Sequence, residues 1–362
     1  MNKEALSPLS KFVVVMTITF LANGCATIGP EHLRDTHPLY NDAIVDSINE
    51  QLLNNLVRLR YRDPTFFLDV ASVAASMRMN VAGSASGQVN SATPLTLGTD
   101  ATYEILPTIS YAPLQGEDFV KSLLSPVSID ALVALSGSGW TLRRVFGLCV
   151  ESINGIDNAP SASGPTPERA PKHYKEWNRL VDTFEKLEDD HLVEARIDKA
   201  TKDLKISFEP SEEFNDVEQS IKTQLKLDLN RSVFDVEGDD VQRKPDTLEI
   251  VTRPLMSTFF YLSHRVDVPD EHKSNGWVTI TKNKDGSDFD WGDTPAGRLF
   301  HVLVSKEKPD DAFIAVPYES YWYFIPKNDK ESKSTFLLLS QLFRLQAGAA
   351  KSIGPTLTIP VR

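Results

Sequence analysis

Cysteine is nearly absent from this chain: Cys25 and Cys149 are the only two in 362 residues. So few cysteines cannot supply the disulfide framework that stabilises many small secreted domains. Cys149 lies in the apolar run 145–150, where we expect a buried, unreactive thiol rather than a nucleophile. The length is sufficient for a large hydrophobic core, which must therefore stabilise the fold.

Long apolar runs and an excess of basic residues are also missing. The uncharged run Phe12–Ala22 is shorter than the about 20 residues that a membrane-spanning helix needs, and no later run approaches that length. Acidic side chains number 50 against 38 basic ones, which gives a net charge of −12. This balance disfavours a nucleic-acid partner and docking on anionic lipid through a basic patch.

Motifs of catalysis and metal binding are missing too. The chain has no Gly-x-Ser-x-Gly elbow, no phosphate-binding loop and no His-Glu-x-x-His. His264, His272 and His301 could form a zinc site with nearby carboxylates, but without helical i, i+4 spacing we expect surface or capping histidines. Residues 283–290 look like a calcium loop, yet Gly292 stands where its last glutamate belongs, so we expect a hairpin turn. We predict no catalytic residue, no metal and no cofactor.

What the chain does have is a distinctive N-terminus. Lys3 and Lys11 precede the apolar run, which ends in Ala22-Asn23-Gly24-Cys25. This order resembles the signal of a bacterial lipoprotein precursor, which is cut before the cysteine. Ala22 occupies the usual leucine position, and an ordinary secretory signal beside a free cysteine is the alternative.

The resemblance implies that residues 1–24 are a signal peptide and that Cys25 carries a diacylglyceryl group, with an acylated amino end. Multiple acyl chains anchor a protein stably to a membrane. Because Ala26 rather than aspartate follows the cysteine, the resemblance implies the outer membrane, at its periplasmic face. Cys149 would then be unpaired, and loss of two lysines and one glutamate would bring the net charge to −13. Residues 25–38 are predicted to be a polar tether.

Beyond the tether we predict an α+β fold in two domains. The Pro-, Ser- and Ala-rich residues 157–171 are the predicted linker. Residues 39–156 form a predicted helical and β domain, and residues 172–362 a mixed α+β domain with an antiparallel sheet.

The first predicted helix is Tyr40–Arg62, with an apolar face made by Ile44, Ile48, Leu52, Leu56 and Leu59. It ends in Arg58, Arg60 and Arg62. These arginines form either a solvated helix end or a surface for an acidic partner.

Residues 77–111 predict a long, lightly hydrophobic hairpin. It is either an exposed edge or loop, or one subunit's contribution to an oligomeric export pore in the outer membrane. A lipid-facing set of Ala, Ser and Val, rather than Leu and aromatics, argues against the pore.

The remaining chain alternates helices and strands. Ser128 is predicted to cap a helix. Further predictions are helices 140–153, 174–187 and 334–346, a hairpin 192–208, strands 277–281 and 289–291, and a closing strand 356–361. The aromatic residues Tyr321, Trp322 and Tyr323, with Tyr318, could form a stacking surface for a ligand. An alternating strand with one face in the core is the other interpretation.

Three residue groups resemble a family of uncharacterised proteobacterial lipoproteins. They are 49–53 with 58–61 (NEQLL, RLRY), 107–109 with 113–116 (PTI, PLQG), and 332–336 with 344–348 (SKSTF, RLQAG). The resemblance implies no activity. Three hypotheses follow: a non-enzymatic structural or interaction module with a protein partner in the envelope, an oligomeric export pore using the hairpin, and a lipid-anchored hydrolase.

Overall fold

The computed structural model describes residues 28–86, 96–198, 204–238, 244–349 and 357–360. The chain forms two compact units, Met1–Asn49 and Glu50–Arg362. The α-helices in the described residues are α1 (Ile28–Tyr61), α2 (Glu117–Leu124), α3 (Ile129–Gly137), α4 (Leu142–Cys149), α5 (Tyr174–Asp189), α6 (Asn215–Gln224), α7 (Leu255–Ser263), α8 (Asp270–Ser274) and α9 (Lys330–Ala349).

The strands form three sheets, and the fold is α+β as predicted. They are β1 (Phe67–Ser86), β2 (Thr96–Leu114), β3 (Val150–Ile153), β4 (Ile156–Asp157), β5 (Val193–Ile197), β6 (Leu204–Phe208), β7 (Val233–Glu237), β8 (Thr247–Thr252), β9 (Leu303–Ser305), β10 (Ala312–Tyr318), β11 (Tyr321–Pro326) and β12 (Leu357–Pro360). Their orders are β1-β2-β12, β4-β3-β8-β7-β6-β5 and β10-β11-β9.

Helix α1 starts earlier than the sequence predicts. It begins at Ile28, so residues 28–38, predicted as a tether, are helical. Pro30 lies in its first turn, where a missing N–H costs nothing. On the predicted apolar face Leu52, Leu56 and Leu59 are buried, whereas Ile44 and Ile48 are half-exposed.

The predicted hairpin is confirmed and is longer than expected. β1 pairs antiparallel with β2 from Phe67↔Leu114 to Ser86↔Thr96, with a bulge between Val70 and Ser72. The predicted closing strand is confirmed as β12, which adds to residues 108–111 of β2. The remaining outer edge of β2 pairs with no other described strand.

Three short helices follow the hairpin. Ser128 caps α3 as predicted, because its side chain accepts a hydrogen bond from the Ala131 amide at 3.2 Å. The helix predicted for 140–153 ends at Cys149. Residues 150–153 instead pair as strand β3 with β8, about 100 residues further along the chain.

The six-stranded sheet crosses the predicted domain boundary. β3 and β4 precede the predicted linker, and they share one sheet with β5–β8, which follow it. The predicted linker is itself packed: Asn158, Ala159, Ala162 and Thr166 are buried. Glu50–Arg362 is therefore one compact unit where the sequence predicted two domains. All pairs in the sheet are antiparallel except β7 with β8.

In the second half of the chain, a predicted helix and a predicted hairpin are confirmed, whereas two predicted strands are not. The apolar stripe of α5, made by Trp177, Leu180, Val181, Phe184 and Leu187, is fully buried. The β5–β6 hairpin is confirmed, with residues 199–203 outside the described chain. Residues 277–281 and 289–291 are not paired strands. An isolated bridge joins Lys282 and Asp288 across a turn, and a 3₁₀ turn begins at Trp291.

Candidate functional site

The arginine-rich end of α1 meets the aromatic hairpin β10–β11. The Tyr61 hydroxyl lies 2.5 Å from that of Tyr323 and 2.6 Å from His272 Nδ1. Just beyond α1, Asp63 accepts a hydrogen bond from the Tyr318 hydroxyl, and the Arg58 guanidinium lies 6.0 Å from the Tyr318 ring centre. The structure thus joins two groups of residues that the sequence predicted as separate candidate surfaces.

The three adjacent aromatics of β11 do not form one surface. Tyr323 is fully buried, whereas Tyr321 and Trp322 are half-exposed. Alternate residues of a strand lie on opposite faces, which separates Trp322 from its neighbours. The Tyr321 hydroxyl donates to Glu271 at 3.0 Å, and Trp322 lies under Lys308 at 5.2 Å. The alternating-strand interpretation describes Tyr323 correctly.

The three arginines have three different environments. Arg62 is exposed and donates to the Thr166 carbonyl at 3.0 Å, while Arg58 is half-exposed. Arg60 is only 6% exposed, so the expectation of a solvated helix end is wrong for this residue. Its Nη1 donates to Thr166 Oγ1 at 3.1 Å and to the Thr279 carbonyl at 2.9 Å. Burial lowers the pKa of Arg60 to about 10.

Arg60 lines a cleft of about 350 Å³. The cleft brings together residues from distant parts of Glu50–Arg362, and its charged and aromatic lining consists of Arg60, His264, Arg265, Asp267, Lys273, Asp288, Phe289, Asp290 and Trp291. Arg60 and His264 are candidate residues in the sequence for separate reasons. No local pattern in the sequence indicates that they meet, because more than 200 residues separate them.

The three histidines considered as metal ligands have three different sets of contacts. His264 is buried against Trp291, with Nδ1 3.2 Å from Thr166 Oγ1 and Nε2 3.1 Å from the Ala162 carbonyl. His272 contacts Tyr61, and His301 Nε2 lies 2.7 Å from Asp267. Within the described ranges, no three His, Cys, Asp or Glu side chains are grouped to hold a metal ion.

The hydroxyl–imidazole pair of Thr166 and His264 is almost completely shielded from solvent. Thr166 is 1% exposed, and its Oγ1 also accepts from Arg60. Burial lowers the pKa of His264 to about 3, so the ring is neutral at pH 7. Arg60, Thr166 and His264 therefore form one buried hydrogen-bonded chain, whose Arg60 and His264 belong to the cleft wall.

Two further sequence predictions are confirmed. Cys149 is fully buried, and burial raises the pKa of its thiol to about 12, which fits an unreactive group. The Asp-rich segment is a turn: Asp285 accepts from the Ser287 amide at 3.0 Å, and the Asn283 amide donates to the Ser287 carbonyl at 2.8 Å. Cys25 lies outside the described residues.

Comparisons with protein-family models, with curated proteins and with solved structures give no match to this chain. None of the described helices combines the length and apolar character needed to span a membrane.

Proposed function

We propose that the protein is a lipid-anchored, non-enzymatic component of the outer membrane, held at the periplasmic face through Cys25. In this proposal copies of the chain assemble, and their β1–β2 hairpins enter the membrane to form a pore. The first hypothesis, an envelope interaction module, and the second, a pore, thus become one. The register of the hairpin is the observation that supports this choice.

The register divides the hairpin into two chemically different faces. Residues at alternate positions of a strand share a face, and cross-strand partners share it too. One face holds the pairs Val73↔Ile109, Ala75↔Pro107, Met77↔Ile105, Met79↔Tyr103, Val81↔Ala101, Gly83↔Thr99 and Ala85↔Leu97. The other holds Ser72↔Ser110, Ala74↔Thr108, Ser76↔Leu106, Arg78↔Glu104, Asn80↔Thr102, Ala82↔Asp100, Ser84↔Gly98 and Ser86↔Thr96.

This division weakens the composition argument against a pore. The sequence suggested a lipid-facing set of Ala, Ser and Val. The register instead places Val, Met, Ile, Tyr and Leu97 on one face, together with Ala, Gly, Thr and Pro, and leaves the serines and Leu106 on the other. Membrane strands alternate apolar and polar residues in this way. The apolar face covers residues 73–85, which exceeds the about 9–11 residues that a tilted strand needs to cross the hydrocarbon core.

The edges of the hairpin support assembly. An isolated two-stranded hairpin is marginal in water, and unpaired edges pair readily with another strand. Within the described chain only β12 covers an edge, and only along residues 108–111. A second copy of the same hairpin supplies the missing partner for the rest.

The anchor is tested by metabolic labelling with palmitate. We expect label on the wild-type chain and none on Cys25→Ala, with Cys149→Ala as the control that keeps its label. Equal labelling of wild type and Cys25→Ala would refute the anchor without touching the hairpin.

Assembly through the hairpin is tested by the native mass of the protein in mild detergent. Insertion of the hairpin into the membrane is tested with dye-labelled single-cysteine variants. We expect an oligomer. A polarity-sensitive dye on Met79→Cys should report a lipid environment, and on Asn80→Cys an aqueous one. The native cysteines do not interfere, because Cys149 is buried and Cys25 is acylated in the proposal. A strict monomer, or identical dye spectra at the two positions, would refute the pore.

A further inference from the structure

The Arg60 guanidinium is a buried positive charge without a carboxylate partner. Within the described residues no Asp or Glu lies at ion-pair distance from it, and its buried Nε has no hydrogen-bond partner. Among the described residues, Arg60 donates its two hydrogen bonds from Nη1. Leaving a buried charge uncompensated is costly, so such a group is retained where something else supplies the counter-charge.

The other cations of the cleft are already paired. Arg265 contacts Asp290 at 3.4 Å, and Lys273 contacts Asp270 at 2.9 Å. The cleft carboxylates also have partners: Asp267 accepts from His301, and Asp288 accepts from Lys282. Among the described residues, Arg60 is therefore the cation of the cleft lining that has no carboxylate at ion-pair distance, in a cleft whose wall carries three carboxylates.

We propose that this cleft binds a small dipolar ligand of amino-acid size. Its carboxylate binds the open side of the Arg60 guanidinium, and its ammonium faces the aspartates of the wall. A volume of about 350 Å³ is at the lower end for ligand sites, which restricts the size. A doubly charged phosphate fits poorly, because Asp267, Asp288 and Asp290 repel it. The inference is independent of the hairpin and of the proposed pore.

The probes are L-alanine, sodium acetate, ethylammonium chloride and sodium phosphate at equal ionic strength, titrated into the full mature protein in detergent. The readout is the Nε–H resonance of Arg60 in protein labelled with ¹⁵N-arginine, identified by its loss in Arg60→Lys. We expect saturable shifts with L-alanine and, about fivefold more weakly, with acetate, since acetate lacks one partly exposed ion pair. Ethylammonium and phosphate should give none.

Two variants separate binding from folding. Asp267→Asn should weaken the binding of L-alanine about fivefold and leave the binding of acetate unchanged, because the substitution removes only a partner of the ammonium group. Arg143→Lys, at an arginine outside the cleft lining, should change neither. Should Arg60→Lys fail to fold, calorimetric titration of alanine and acetate into the wild type and Asp267→Asn still decides the question. The proposal would be overturned if neither L-alanine nor acetate gave a saturable shift, or if phosphate bound more tightly than L-alanine.

Discussion

At the scale of single residues, buried titratable groups set how the protein responds to pH. His264 is 4% exposed and packs on the Trp291 ring at a centroid distance of 4.2 Å. Loss of hydration opposes its protonation, which is why its pKa falls to about 3 from an ordinary value near 6.5. The neighbouring charges of Arg60 and Arg253 lower the pKa further.

Stability should therefore decrease as the pH falls from about 6.5 to about 3. In that window the unfolded chain binds the histidine proton and the folded chain does not, so protons favour unfolding. For one such group, the free energy of unfolding changes by at most about 1.4 kcal/mol per pH unit in this window. Urea unfolding at several pH values should show this contribution in the wild type and its loss in His264→Gln. A variant with the same pH slope as the wild type would contradict it.

Arg253 should be among the least replaceable side chains. It is fully buried, donates to Ser163 Oγ and the Asn158 carbonyl, and lies 4.7 Å from the Tyr261 ring centre. Removal of Arg253 leaves these buried acceptors without their donor. We therefore expect Arg253→Ala to lower the free energy of unfolding by about 3–5 kcal/mol. Urea titration measures this.

The matched control is Arg143, whose ion pair with Glu185 at 2.9 Å is about one-third exposed. Solvent screens that pair, and Arg143→Ala should cost only about 0–1 kcal/mol. Similar losses for the two variants would mean that burial does not determine the importance of these arginines.

At the scale of elements, aromatic packing fixes the base of the hairpin. The Phe67 ring stacks on Phe343 at 4.9 Å and meets the edges of Phe119 at 5.9 Å and Phe259 at 5.8 Å. These partners belong to α9, α2 and α7. The first residue of β1 is thus held by three helices.

Neighbouring phenylalanines should differ sharply when truncated. Phe67 is 3% exposed and Phe66 is 55% exposed. We expect Phe67→Ala to cost about 3–5 kcal/mol through the cavity it leaves, and Phe66→Ala to stay within about 0.5 kcal/mol. Thermal and urea unfolding of the two variants give the comparison. Equal effects would show that the aromatic cluster does not stabilise the base of the hairpin.

Local signals in the sequence predicted local structure. The stripe of α5 and the Ser128 cap were predictable because the residues that decide them lie within a few positions of one another. The end of α4 was not, because β8 decides it: pairing with that distant strand overrides the helical pattern at Val150–Ile153.

The sequence could not predict the cleft either, because contacts between distant segments form it. Arg60, His264 and Trp291 come from three segments that share no motif, and only the packing of these segments together creates the site. The arginine cluster was a signal for a functional region. It did not distinguish the buried Arg60 from the exposed Arg62.

At the scale of the whole molecule, a proline-rich segment does not separate domains here. Residues 157–171 pack within the unit, and the sheet takes strands from both sides of them. Composition predicted the boundary, but backbone pairing of β3 with β8 joins the two halves. The hairpin beyond its base is different, because among the described residues its strands pair only with each other and with β12. The hairpin is therefore the part of the described chain that we expect to pair with another copy.

The proposed pore predicts opposite outcomes for lysine at adjacent positions. Met79 lies on the apolar face and Asn80 on the polar face by register. A lysine facing lipid near the membrane midplane costs about 2–4 kcal/mol, whereas one facing water costs little. Met79→Lys should therefore reduce the fraction of oligomer extracted from the outer membrane and the conductance it gives in planar bilayers, while Asn80→Lys should keep both. Because the two residues are adjacent, a general effect of added charge would alter both variants alike, and that result would contradict insertion of the hairpin.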